Sequence, residues 1–319
     1  MAAPGTAFFA SLAALLWRRT GPRRTFGLRC GAALLALLIG RPEVASAAGC
    51  DCGDPLLSAT DPVAVRGRLV LGLETEYLEA KSGPLRDLQH ELSLRLGTVY
   101  RPFEALRLVA RVPLVHEEAE GADGTETDLS GLSDVDVGAR LVLFERPGAP
   151  GDRQETLAVL AGSSLPTGLR RSAVDGRPVS EQEQLGSGAF GPYLGLSYRS
   201  EGEAFTWLAS AAERLQTGNG AGYHRGNSLV WSLHGQWGTA TRLAVDLGID
   251  GRHAAPDGQY GQAVANTGGT ILAFAPALYL DLGGPIWFEV RGEIPLLTHL
   301  FGSQNVGPGA VAGLECLAF

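Results

Sequence analysis

The chain has 319 residues, 45% of them hydrophobic, with 44 Gly, 18 Pro and a formal net charge of −8. The apolar content excludes a disordered chain, and the acidic balance argues against a nucleic-acid partner. After residue 50 there is no run of about 18 apolar residues, so no helix in that region is long and greasy enough to cross a bilayer.

Residues 1–47 read as a signal peptide. Arg18, Arg19, Arg23, Arg24 and Arg29 form a basic region, Gly31 to Gly40 a short apolar core, and Ala45-Ser46-Ala47 a small-residue cleavage site. Arg23-Arg24-Thr25-Phe26 resembles a twin-arginine signal, but an ordinary Sec signal is the preferred reading, and an acid-free stretch to residue 42 also suits a mitochondrial presequence. This segment holds six Arg and one Glu, so its removal takes the net charge from −8 to −13. Ala47 to Cys50 resembles a lipoprotein box in which Ala replaces the usual Leu, making Cys50 a candidate lipidation site. Cys50 and Cys52 lack the further ligands that zinc needs, so no metal site is assigned. Residues 48–64, with Pro55 and Pro62, read as a periplasmic linker, and residues 65–319 as the folded unit.

From residue 65 onward the chain alternates with a period of two, the signature of strands with one apolar face and one polar face. Strand one sets Leu69, Leu71, Leu73 and Tyr77 against Glu74 and Glu76. Strand two sets Leu92, Leu94, Leu96 and Tyr100 against Glu91 and Arg95. Strand three sets Leu106, Leu108, Ala110, Val112 and Leu114 against Arg107 and Arg111. Strand four has Val135, Val137, Ala139, Leu141 and Leu143 opposite Asp134, Asp136 and Arg140. Strand five shows Leu157, Val159 and Ala161 on its apolar side. Strands six and seven run near 189–200 and 203–215. Strand eight places Leu229, Trp231, Leu233 and Trp237 against Ser232, His234 and Gln236. Strand nine places Leu243, Val245, Leu247 and Ile249 against Asp246 and Asp250. Strand ten, near 270–282, is apolar on both sides. Strand eleven has Ile286, Phe288, Val290 and Ile294 against Glu289, Arg291 and Glu293, and strand twelve ends the chain at Phe319.

Short and long connections alternate strictly along this series. If each strand pairs with the next, the short turns collect at one end and the long loops, including 117–129, 167–186 and 252–269, at the other. The predicted fold is all-β: a transmembrane antiparallel up-and-down barrel of about twelve strands, grease outward to lipid and charge inward, in a Gram-negative outer membrane. Tyr77, Tyr100, Trp207, Trp237 and Trp287 fall near strand ends, where interfacial aromatic girdles form. A soluble sandwich or lipocalin-like barrel is the competing reading, but twelve strands filled with charge would leave it no core.

Sidedness assigns Glu74, Glu76, Arg95, Arg107, Arg111, Asp134, Asp136, Arg140, His234, Asp246, Glu289, Arg291 and Glu293 to the lumen, as a pore lining or as cross-strand pairs that fill it. Ser232 and His234 share a face, but no nucleophile motif surrounds the serine and no catalytic residue is assigned. The acidic run from Glu117 to Asp128 reads as a solvated loop face, not a cation site. Nothing in the sequence calls for a cofactor.

Three stretches resemble a known family. Ser130-Gly131-Leu132-Ser133-Asp134 with Gly138-Ala139-Arg140, then Ala158 to Gly168 ending in Leu-Pro-Thr-Gly, then Leu185-Gly186-Ser187-Gly188 leading to Pro192 through Tyr198, are similar to outer-membrane transporters labelled "MetA-pathway of phenol degradation"-like. Ser133 and Leu141 depart from that pattern. The resemblance implies passage of small organic solutes, hydrophobic or aromatic ones among them. A plugged surface barrel, or a barrel lipid hydrolase, stands as the alternative. A terminal Phe319 resembles the signal read by barrel-assembly machinery, so the expected partners are that machinery, outer-membrane lipid and a small organic solute. Glu315 shares a side with Leu317 and Phe319, and so either sits near the headgroups or marks a bulge.

Overall fold

A computed structural model describes residues 69–82, 87–120, 126–148, 152–174, 176–238 and 242–317. The expectations for the signal peptide, Cys50, the linker and Phe319 lie outside these residues. Every regular element described is a strand: β1 (Leu69–Ser82), β2 (Asp87–Phe103), β3 (Leu106–Glu120), β4 (Glu126–Leu132), β5 (Val135–Arg146), β6 (Gln154–Leu165), β7 (Ala173–Val174), β8 (Arg177–Pro178), β9 (Gly191–Glu201), β10 (Phe205–Arg214), β11 (Tyr223–His224), β12 (Ser228–Trp237), β13 (Leu243–Ala254), β14 (Gly258–Gln259), β15 (Gln262–Ala263), β16 (Gly269–Gly283), β17 (Ile286–Leu300), β18 (Asn305–Val306) and β19 (Gly309–Leu317).

The long strands pair antiparallel, each with the next, and β1 bonds to both β2 and β19. β4 and β5 lie end to end on β3 and make one interrupted stave. The described residues therefore form a closed twelve-stave barrel. Closure matters because hydrocarbon offers no partner for a backbone amide, and a closed sheet leaves no edge unpaired.

Side chains follow the predicted alternation. Leu71, Leu96, Leu141, Leu196, Leu233, Leu247 and Leu278 stand exposed on the outer face, while Glu76, Gln236, Asp246 and Glu293 are buried on the inner one. A water-soluble protein buries its leucines and exposes its carboxylates. The inversion marks the outer face as the one that meets lipid.

Short turns gather at one end, which in outer-membrane barrels is the periplasmic one. The β16–β17 turn uses Gly283 and Gly284 at φ 95 and 69. Two successive positive φ values suit glycine, whose missing Cβ removes the clash. Near this end Phe205 packs edge-on to Trp207 and tilted against Trp237, at centroid distances of 4.7 and 4.6 Å.

Four features differ from the sequence reading. The segment 117–129 is not a free loop: β3 and β4 continue pairing through it, from Leu114↔Leu132 to Glu120↔Glu126, as a projecting hairpin. The other long connections also carry structure, with β7 paired to β8 and β11, β14 and β15 forming a small sheet. Trp287 is no girdle residue. It is 4% exposed and packs inside with Val70, Ala244, Ala277 and Tyr279, because its register partner on β19 is the inward Glu315. Glu315 also pairs with Gly72, and Leu317 with the buried Val70. Both therefore face the interior, so Glu315 places no charge in lipid and needs no bulge.

Candidate functional site

Register and alternation bring the predicted lumen residues into one inner belt. On β1 to β3, Glu74 lies opposite Arg95, and Arg111 opposite Gly97. The side chains close these neighbours into ion pairs: Arg95 with Glu76, and Arg111 Nη2 with Glu74 Oε1 at 3.4 Å. Asp136 sits across from Arg111 in register and is also 3.6 Å from Arg214 of β10. Arg107 and Arg140 are register partners, and Arg140 Nε donates to Ser197 Oγ at 3.2 Å. Asp134 shares the inner face but lies at the outer end of the stave, under the 166–190 segment. Glu289, Arg291 and Glu293 line the same face of β17, with Arg291 Nη2 3.9 Å from Glu293 Oε1.

The charges are unevenly distributed around the wall. Staves β2 to β10 carry Arg95, Arg107, Arg111, Arg140, Arg199 and Arg214, with Asp134 and Asp136 among them, Glu201 paired to Arg199, and Glu91 opposite Glu117 toward the outer end of β2 and β3. Staves β13 to β1 carry Asp246, Asp250, Glu289, Glu293, Glu74 and Glu76 with Arg291 among them and His234 at their border. Arg140 feels Arg107 and Arg199 as like charges and Glu145 as an opposite one, whereas Arg291 feels Glu293, Glu289 and Asp250 as opposite ones. Arg252, nearer the outer end of β13, is the exception on the acidic side. Arg199, Arg214 and Asp250 were not among the sequence-derived candidates. Asp250 sits on the polar side of an evident strand, but β9 and β10 are rich in Gly, Ala and Ser, and alternation there is too shallow to declare a face.

His234 is held from both sides. Its Nδ1 is 2.6 Å from Asp246 Oδ1 and its Nε2 3.0 Å from Asp250 Oδ1. The two aspartates are four apart on one strand and so point the same way, and Gly248 between them is the register partner of His234. An added Cβ on Gly248 would collide with the imidazole, so this glycine makes the recess in which the ring lies. Ser232 meanwhile shares a hydrogen bond with Ser210, 2.6 Å apart. With both ring nitrogens engaged by carboxylates, His234 has none left to activate Ser232. No group of residues suited to a metal ion occurs among the described residues.

The three family-like stretches meet at one point. Asp134, in the break between β4 and β5, accepts from the Gly168 N–H at Oδ1 (2.8 Å) and from the Ser187 N–H (2.8 Å) and hydroxyl (2.5 Å) at Oδ2. The Ser133 hydroxyl donates to the Leu185 carbonyl at 2.6 Å, and the Val135 N–H to Thr167 Oγ1 at 2.9 Å. Gly168 and Gly186 touch backbone to backbone, where any Cβ would clash. The knot pins the 166–190 segment over the outer end of the β4–β6 wall. Farther out, Asn219 donates to Glu181 Oε2 (2.8 Å) and to the Ser187 carbonyl (3.0 Å). The Tyr223 hydroxyl donates to Asp257, and burial together with that carboxylate raises the phenol's pKa.

Hydrogen bonds to a charged acceptor contribute about 1.5–3 kcal/mol each. Asp134→Asn should therefore free the 166–190 segment while leaving the barrel closed. Trypsin cleavage after Arg170 or Arg171 in proteoliposomes should rise by about tenfold or more. Unchanged cleavage would show that the knot does not hold the segment.

This constellation, a closed wall with apolar exterior and charged interior, defines a transmembrane β-barrel of the outer-membrane type. An outer membrane channel of Pseudomonas putida F1 has a similar fold, at TM-score 0.59 and 14% identity over 78% of this chain and 95% of that one. The NanC porin (TM-score 0.43, 11% identity, 77% and 98% covered) and the CymD monoaromatic hydrocarbon channel (0.39, 10%, 86% and 94%) are more distant in shape. No family profile and no curated protein sequence matches the chain.

Proposed function

We propose that this chain is an outer-membrane channel through which small organic solutes cross. The observation that carries the reading is the ionised belt on the inner face of a closed, lipid-facing wall. Ionisable groups are costly in a membrane and are kept where they line a path or fill a lumen. The resemblance of the Ser130–Arg140, Ala158–Gly168 and Leu185–Tyr198 stretches to phenol-degradation-type transporters supports solutes with a hydrophobic or aromatic body. The P. putida neighbour, itself a channel, agrees in fold. In this reading the partners are outer-membrane lipid, the assembly machinery and the solute, and the chain reaches the membrane by its N-terminal signal. The Ser232 and His234 pair lends no support to the hydrolase reading, since both side chains are committed elsewhere.

One observation favours the second reading, a plugged barrel. Gln236, Asp246, Glu76 and Glu293 are at most 2% exposed, which is more closure than an open pore shows. Planar-bilayer recording of the refolded protein separates the two. The channel reading expects stepwise single-channel conductance in molar KCl, and silence across the voltage range would leave the plugged barrel standing.

A further inference from the structure

The lumen's charges are not only present but separated, and separation has a consequence for what fits. Arginine-rich staves and acid-rich staves occupy opposite sides of the belt, the arginine side also holding Asp136 beside Arg214 and Glu201 beside Arg199. They neutralise one another where they adjoin at β1 to β3, through Glu76–Arg95 and Glu74–Arg111. At the other border, between β10 and β12, the facing groups are hydroxyls, Ser210 and Ser232. Beside them Leu160, Ala212 and Val230 form an apolar inner patch. On the acidic side Asp246 is 1% exposed and gives only Oδ1 to His234, while its Oδ2 has no hydrogen-bond partner. Leaving a buried carboxylate oxygen unbonded is unfavourable unless something that donates visits it.

Resting on the channel reading, we propose that the belt is a transverse dipole that binds small organic zwitterions. The solute's carboxylate turns toward the arginine staves, its ammonium toward Asp246 and the β17 carboxylates, and its apolar middle lies along the Leu160 patch. A solute with one charge gains at one wall and is repelled or left unmatched at the other. A zwitterion gains at both, and like-charge juxtaposition discriminates against the rest. The field also orients the solute, in the way that a cleft lined by charge concentrates its counterpart.

Three probes that share a phenylethyl unit test this: L-phenylalanine, 3-phenylpropanoate and 2-phenylethylamine, each added to the reconstituted channel at pH 7 while ionic current is recorded. Residence in the lumen appears as blockade time. Phenylalanine should block about tenfold longer than either singly charged relative, the scale of one added favourable charge contact. Glu289→Gln and Arg140→Gln should each shorten that blockade. Under a KCl gradient they should also move the reversal potential in opposite directions, Glu289→Gln toward anions and Arg140→Gln toward cations. A merely structural role for these residues would not produce opposite signs. Current with equal blockade by all three probes, or shifts of one sign in both variants, would overturn the dipole and leave the channel. Absence of any current would overturn the channel itself.

Discussion

Replacing His234 with alanine should destabilise the barrel by roughly 3–5 kcal/mol, the scale measured when one partner of a buried ionic cluster is removed. The reason is geometric. Asp246 and Asp250 project from the same face of β13, and His234 from the neighbouring stave lies against both. Without the ring, two buried carboxylates face each other across the recess above Gly248, with no group between them. Urea unfolding in detergent micelles, followed by tryptophan fluorescence, reads the loss. The triple change His234→Ala, Asp246→Asn, Asp250→Asn should recover most of it, because the defect lies in the orphaned acids and not in the missing ring. Neighbours coupled in this way give non-additive energies, and the sign of the coupling is the diagnostic. An unaltered midpoint for the single variant would mean that water already screens the cluster.

The barrel was legible because a membrane wall imposes a simple rule on each stave. Leu243, Val245, Leu247 and Ile249 against Asp246 and Asp250 is a pattern that only one face assignment satisfies, and it repeats. Legibility failed where the rule relaxes. A lumen tolerates apolar groups, so Leu160, Ala212, Val230 and Trp287 sit inside, although alternation alone cannot distinguish them from lipid-facing residues. The last strand misled for the same reason. Leu317 looks like grease for the bilayer, but its partner is Val70, and that register turns Glu315 inward. Contacts between distant segments were beyond reach altogether. The three family-like stretches were visible as words. That Asp134 joins them, with Gly168 against Gly186, is a property of the folded barrel alone, because no local propensity encodes a meeting across dozens of residues. Gly248 was the one available hint of the His234 recess: a glycine between two aspartates inside a strand often marks a close approach.

Sidedness itself predicts the second large effect. Leu233 stands in the middle of β12, 48% exposed, and Leu243 begins β13 beside a short turn, 50% exposed. The two are equivalent by exposure and differ only in depth along the wall. Arginine at an outer position costs about 2–4 kcal/mol at the bilayer midplane and about 0–1 near an interface, because the guanidinium must be dragged from water into hydrocarbon or snorkel out of it. Leu233→Arg should therefore lower stability in lipid vesicles by the larger amount and Leu243→Arg by the smaller one, measured by equilibrium refolding from guanidinium. A water-facing surface would put both near zero, and a leucine-filled core would make both severe. Only hydrocarbon grades the penalty with depth. Equal costs at the two sites would remove the bilayer from the outside of this barrel, and a lumen for solutes from its inside.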